Sequence, residues 1–162
     1  MFPSRILWAF LSKTNSYVKQ HADELQDIQI AIDKMEQYSR KTSLEFCGIP
    51  KKVDMLTDQV VCKIAEAIGE QIREDDIEIS HRIKRKRGVR PILAKFVSHK
   101  VKLKVYKART NLKSIYVSNV FSDCSVETTE CPKRIFINEN MTLYHTEMMG
   151  HAVKEKGNGK FN

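Results

Sequence analysis

The residues of this chain best suited to chemistry are cations. Between Ser80 and Lys113 stand thirteen basic residues and no acidic one. Arg82, Lys84, Arg85, Lys86, Arg87, Arg90 and Lys95 form a first cluster, in SHRIKRKRGVRPILAKF. Lys100, Lys102, Lys104, Lys107 and Arg109 form a second, in HKVKLKVYKAR, with Tyr106 the one aromatic among them. The formal net charge is +8, so the rest of the chain is net acidic. An acid-free run concentrates an attractive field, and the partner it suits is a polyanion, either nucleic acid or an acidic membrane surface. Lys and Arg that meet phosphate hold a strand in register without reading its bases. Any one Lys on a helix face is equally well explained by solvation; the run as a whole is not.

Other chemistries fit less well. Cys124, Cys131, His145 and His151 read as C-x6-C-x13-H-x5-H. The second half suits zinc, but six residues between the cysteines are too many for the knuckle that turns both sulfurs to one ion. No metal or other cofactor is expected. No Ser/His/Asp arrangement, Gly-rich phosphate loop or carboxylate pair stands at a useful spacing, so neither an enzyme nor a small-molecule site is expected. His81 lies between Ile79 and Ile83 and reads as a core histidine. The four cysteines lack secreted-scaffold spacing and read as free thiols. Ile6–Leu11 is too short an apolar run to span a bilayer, and no cleavage-site pattern follows it. The expectation is no membrane contact and a place in the cytoplasm, the nucleus or both.

The elements that must position the cations follow from periodicity. From Leu7 to Lys41 there is no Gly or Pro. Leu7, Leu11, Val18, Leu25, Ile28, Ile32 and Met35 fall on the a and d positions of a heptad, with Thr14 and His21 as polar members. The pattern predicts a helix over 1–42 that self-associates as a coiled coil through Leu25, Ile28, Ile32 and Met35. A helix packed on its own domain is the other reading. SLEFC reads as a strand stopped by Gly48 and Pro50. Asp54 is a candidate N-cap for a helix carrying Leu56, Val60, Ile64, Ala67 and Ile68, with Gly69 as its C′ residue. Ile77, Ile79, His81 and Ile83 alternate with Glu78, Ser80, Arg82 and Lys84, predicting a strand with the isoleucines inward. Ile92, Ala94 and Phe96 predict its antiparallel partner across the basic turn. HKVKLKVYKAR fits strand and helix periods alike; Ser98 as a cap favours helix. Ser118–Thr129 reads as loop, RIFIN as a last strand, and Met141, Tyr144, Met148 and Ala152 as a final helix.

The fold class expected is therefore α+β: a coiled-coil helix over 1–42, a βαββαβ domain over 43–139 of the ferredoxin-like, RNA-recognition-motif kind, and a C-terminal helix and tail over 140–162. The free sheet face would carry Glu45, Cys47, Arg82, Lys95 and Phe136. Too few of these are aromatic for the base-stacking code of that domain class.

EQYSRKTSLEFCGIP, IAEAIGEQIREDDIEISHRI, RPILAKF and INENMT, in that order, resemble the baculovirus FP (few-polyhedra) protein family and related insect transposon-derived proteins. More distantly they are similar to the nucleic-acid chaperone of the first open reading frame of long interspersed retrotransposons. The resemblance covers about Met35 to Val153. It implies a multimerising coiled coil, an RNA-recognition-like domain, and association with single-stranded nucleic acid or nucleocapsid. It places His81, Arg82, Arg90 and Lys95 among the central basic strands. INENMTLYH lacks the Arg that often follows the threonine, KFN stops before the family's aromatic and basic tail, and MFPSRILWAF is not typical of the family, so the expectation is a truncated or misjoined copy. The function expected is that of a non-enzymatic binder of single-stranded nucleic acid, of viral or mobile-element origin. A scaffold acting through coiled-coil contacts with proteins is the alternative.

Overall fold

The structure is a computed structural model that describes residues 3–50, 53, 55–84, 89–121 and 134–157. The chain divides into two units. Met1–Tyr38 and Thr142–Asn162 make one, and Ser39–Met141 the other.

The first unit is helical. Helix α1 spans Pro3–Ser39, about 55 Å at 1.5 Å per residue. Pro3 stands at its first position, where a missing N–H is tolerated, and the absence of Gly and Pro after it lets the helix run uninterrupted. All the heptad residues Leu7, Leu11, Val18, Leu25, Ile28, Ile32 and Met35 are exposed. The C-terminal helix, numbered α5 in chain order, spans Leu143–Gly157. Thr142 starts it: its hydroxyl accepts from the His145 backbone N–H at 3.4 Å, an N-cap bond to the third helical residue. Polar contacts tie the helices together. The Gln37 side chain accepts from the Thr142 N–H at 2.9 Å, and His145 Nδ1 lies 3.1 Å from Asp33 Oδ2.

The second unit holds a four-stranded antiparallel sheet: β1 (Ser43–Cys47), β2 (Ile77–Arg82), β3 (Ile92–Phe96) and β4 (Phe136–Glu139). The strand order is β2-β3-β1-β4. Helix α2 (Thr57–Ala67) lies between β1 and β2 in the chain, and α3 (His99–Ala108) between β3 and β4, followed by a 3-10 segment, Arg109–Ser114. Both helices pack on one face of the sheet. Leu44, Phe46, Ile92, Ala94 and Phe96 meet Val60, Val61, Ile64 and Val105 in a fully buried core. Strict alternation in β1 and β3 put these residues on one side.

The local signals for the two helices resolve differently. Ser98 caps α3 as expected, accepting from the Lys100 N–H at 3.2 Å. Gly69 has φ +91 and closes α2: its N–H donates to Glu66 O at 3.0 Å, and that of Glu70 to Ala65 O at 2.9 Å. That pair of bonds is the Schellman arrangement. At the other end Leu56 is the N-cap and supplies no side-chain bond; Asp54 lies outside the described residues. Ser118–Thr129, expected as loop, begins inside a short helix α4 (Val117–Val120). Val117, Val120 and Phe121 join the core, and burial of that apolar turn outweighs the polar composition around it. Residues 122–129 lie outside the described residues.

Strand β2 departs from its predicted facing. Ile77 pairs with Phe96, but Ile79 pairs with Lys95, so Glu78 is an extra residue in the ladder. A bulge of one residue sends every later side chain to the opposite face. Ile79 is therefore exposed and not in the core, and His81 is exposed too. Ser80 and Arg82, opposite Ala94 and Ile92, turn to the helix side. There the Ser80 hydroxyl bonds to Thr57 and Asp58 at the start of α2. The readings of His81 as a core residue and of Arg82 as part of the free face are both corrected by this bulge.

Candidate nucleic-acid interface

The strand register gathers one end of the sheet. β2 ends at Arg82 opposite the start of β3 at Ile92. Phe46, one residue before the end of β1, faces the same Ile92, and Cys47 faces Phe136 at the start of β4. The ends of β2 and β1 and the starts of β3 and β4 thus form one rim. Lys84 and Arg90 extend from it beyond β2 and β3, and both are exposed. Arg134, exposed just ahead of β4, lies on the same rim at the other edge, about 14 Å away across three strand spacings. Arg85, Lys86 and Arg87 belong to the connection between Lys84 and Arg90 and lie outside the described residues.

Two features fix the rim. The Arg82 guanidinium donates to three carbonyls: Ile49 O at 3.1 Å, Pro50 O at 2.9 Å and Arg90 O at 2.9 Å. It ties the segment leaving β1 and the segment entering β3 to the end of β2. Burial lowers its pKa from the ordinary arginine value, and the carbonyls replace the lost water. Gly48 has φ +84, and a Cβ there would collide with the Arg134 carbonyl oxygen. Only glycine lets the end of β1 come this close to the residue that leads into β4.

The second basic cluster divides by face. Lys100, Lys104 and Lys107 stand at i, i+4 and i+7 of α3, and all three are exposed, making one stripe on the side away from the sheet. Lys102 points the other way. It is 4% exposed, its ammonium lies 2.5 Å from Glu139 Oε1, and it sits 5.0 Å from the Tyr106 ring centre. Arg109 is half-buried, with its guanidinium 3.7 Å from the centre of the same ring and one N–H donating to Tyr106 O at 2.6 Å.

The open face carries Ile79, His81, Leu93, Lys95, Glu45, Cys47, Phe136 and Asn138, as the pairing and burial patterns require. Lys95 is there, paired with Glu78 at 2.8 Å; both side chains are well exposed, and such a pair contributes little. Among the described residues the two clusters therefore do not merge into one surface. Lys84 and Arg90 join at the rim, Lys100, Lys104 and Lys107 on α3, while Arg82 and Lys102 hold the fold. Sequence reasoning missed Lys113 and Arg134. Lys113 belongs to the acid-free run but stands past the end of α3, in the 3-10 segment, and Arg134 is set apart only by standing one residue before a buried isoleucine.

Among the described residues no group of three or more His, Cys, Asp or Glu side chains is placed to hold a metal ion; Cys124 and Cys131 lie outside them. Cys62 is a free thiol. Burial, then the nearby Glu74, Asp58 and Asp76 carboxylates, push the Cys62 thiol up from its ordinary value, which makes it a poor nucleophile near neutral pH. Among the described residues no helix is long and apolar enough to cross a membrane. In comparison with known proteins, no family model and no curated protein matches the chain.

Proposed function

We propose that this chain is a non-enzymatic binder of single-stranded nucleic acid that multimerises through α1, and that it is of viral or mobile-element origin. The observation that carries the binding reading is the set of exposed cations on and beside the sheet rim, Lys84, Arg90 and Arg134, backed by the acid-free run from Ser80 to Lys113. The strand order β2-β3-β1-β4, with α2 in the first crossover and α3 opening the second, supports an RNA-recognition-like, split βαβ domain. The open face offers Phe136 as its one exposed aromatic among the described residues, which favours phosphate-led binding with low sequence preference. The exposed heptad seam of α1 supports self-association. The resemblance to the FP protein family supports the origin.

The test is fluorescence anisotropy of a labelled single strand across a salt series. Bound Lys and Arg displace counterions, so affinity should fall at least about 100-fold between 50 and 200 mM salt. Replacing Lys84, Arg85, Lys86 and Arg87 by Gln should weaken binding and flatten that dependence. Affinity that is flat with salt overturns the reading. The exposed seam of α1 also favours a scaffold that contacts proteins. Partners retained after nuclease treatment would support that reading.

A further inference from the structure

The outer edge of β4 borders a cleft of about 400 Å³. Its far wall is the 3-10 segment that follows α3. Arg109, Thr110 and Lys113 line it from that wall, and Arg134, Phe136 and Asn138 from the strand. No carboxylate is among its lining residues. Three cations, a hydroxyl, an amide and an aromatic ring in one cleft make an environment that a neutral or cationic ligand would not need.

Two of the cations, Arg109 and Arg134, are held in place. The Arg109 plane lies against the Tyr106 ring and is tethered to the Tyr106 carbonyl. A guanidinium has five N–H donors, so this tether leaves most of them for a ligand. Arg134 lies 5.7 Å from the Tyr116 ring centre and pairs with Tyr116 through an isolated bridge. Gly48 fixes the Arg134 backbone against the end of β1. Phe136 is 56% exposed on the open face beside the cleft mouth, and a flat exposed ring suits base stacking without regard to sequence. β4 is the last strand in the order. Beyond Arg134 its outer edge has no strand partner among the described residues, which leaves backbone donors and acceptors turned toward the cleft.

We propose that this cleft is a nucleotide subsite: Arg109, Lys113 and Arg134 take the phosphates of a single strand, and Phe136 stacks a base at the mouth. The inference rests on the nucleic-acid reading above and goes beyond it in placing the strand at the β4 edge instead of along the α3 stripe. From this subsite the strand continues along the rim to Lys84 and Arg90. An extended peptide added to the β4 edge is the competing occupant. The cations favour the nucleic acid, because an edge-added peptide needs backbone bonds and side-chain pockets, not three positive charges.

The experiment uses the full chain and a 5-iodouridine-containing single strand, with anisotropy over a salt series and mapping of the photo-cross-link. Lys113→Gln with Arg134→Gln should weaken binding about tenfold at low salt and lower the slope of log K against log salt by about 1.4, two phosphates' worth. Lys113→Arg should bind as the parent does. Phe136→Ala should weaken binding about tenfold, and the parent's cross-link should map to Phe136. All three side chains are exposed or at the surface, and an unchanged thermal melt checks that the variants fold. Unchanged affinity and slope in the cleft variants, with both lost on Lys84→Gln and Arg90→Gln, overturns the cleft and leaves the nucleic-acid reading standing. If the parent binds no single strand, both fall. Retained strand binding with loss of an edge-added peptide assigns the cleft to protein and likewise overturns the proposal.

Discussion

Lys102 and Lys104 sit two residues apart in one basic run, and their environments predict different phenotypes. Lys102 is 4% exposed, while the Glu139 side chain that meets it is 42% exposed. Removing either partner breaks the same ion pair but leaves different orphans. In Lys102→Met the apolar stem survives, and the Glu139 carboxylate regains water, so the cost is about 1 kcal/mol, near a net hydrogen bond. In Glu139→Ala the ammonium is left buried with the Tyr106 ring beside it. Orphaning a buried charge costs ~3–5 kcal/mol, and the flexible lysine stem keeps the cost near the lower end. For a unit of about a hundred residues each kcal/mol moves Tm by ~4–8 °C. Lys102→Met should therefore lower Tm by about 5 °C and Glu139→Ala by about 15 °C, followed by circular dichroism. At 25 °C, where both variants are folded, strand affinity and its salt slope should match the parent. Lys104→Gln should leave Tm in place, and the salt slope with it when the strand keeps to the rim; only a strand that reaches α3 would lose about 0.7 from the slope. If Lys102→Met lowers the salt slope while leaving Tm unmoved, the division of this run into structural and free cations is wrong.

Two further outcomes follow from local geometry. Gly48→Ala meets both a positive φ and the Arg134 carbonyl and should cost ~2–4 kcal/mol in urea unfolding. Gly69→Ala, with φ +91 and open space around it, should cost only the ~1 kcal/mol of the left-handed backbone; equal losses would remove the rim's close approach as a cause. Ile28→Asp with Ile32→Asp places charge on the exposed seam of α1 and should shift the protein to monomer in sedimentation equilibrium, whereas an unchanged mass would exclude the seam as the association surface.

Much of this fold is legible because a few residues carry unambiguous local signals. Leu44 and Phe46 alternate with Glu45 and Cys47, and each lands on its expected face. Ser98 decides the two-way pattern of HKVKLKVYKAR by capping a helix. β2 was not legible, because Glu78 looks like any outward residue while serving as the bulge. The choice is made by tertiary partners. Turning Ser80 and Arg82 inward satisfies Thr57, Asp58 and three backbone carbonyls, at the expense of exposing Ile79. No alternation pattern contains that exchange. The site was partly legible for the same reason. Composition located the charge, but it did not separate Lys102, whose partner lies 37 residues on, from Lys104 beside it.

That separation bears on how strongly binding should depend on salt. Thirteen free cations on one strand would give a slope near −9, at about −0.7 for each phosphate neutralised. Arg82 is held by carbonyls and Lys102 by Glu139, so neither is available. Lys100, Lys104 and Lys107 face away from the sheet, so a strand on the rim does not meet them. The described cations that remain along the rim and its cleft are Lys84, Arg90, Arg109, Lys113 and Arg134, which together give a slope of about −3.5, or about −5.5 with Arg85, Lys86 and Arg87 added. A measured slope near −9 would require the strand to wrap from the rim onto α3, and the Lys104→Gln variant would then lose affinity along with the rim variants. A slope near −3.5 that is indifferent to Lys104 would confine the strand to the end of the sheet that Arg82 and Gly48 hold in place.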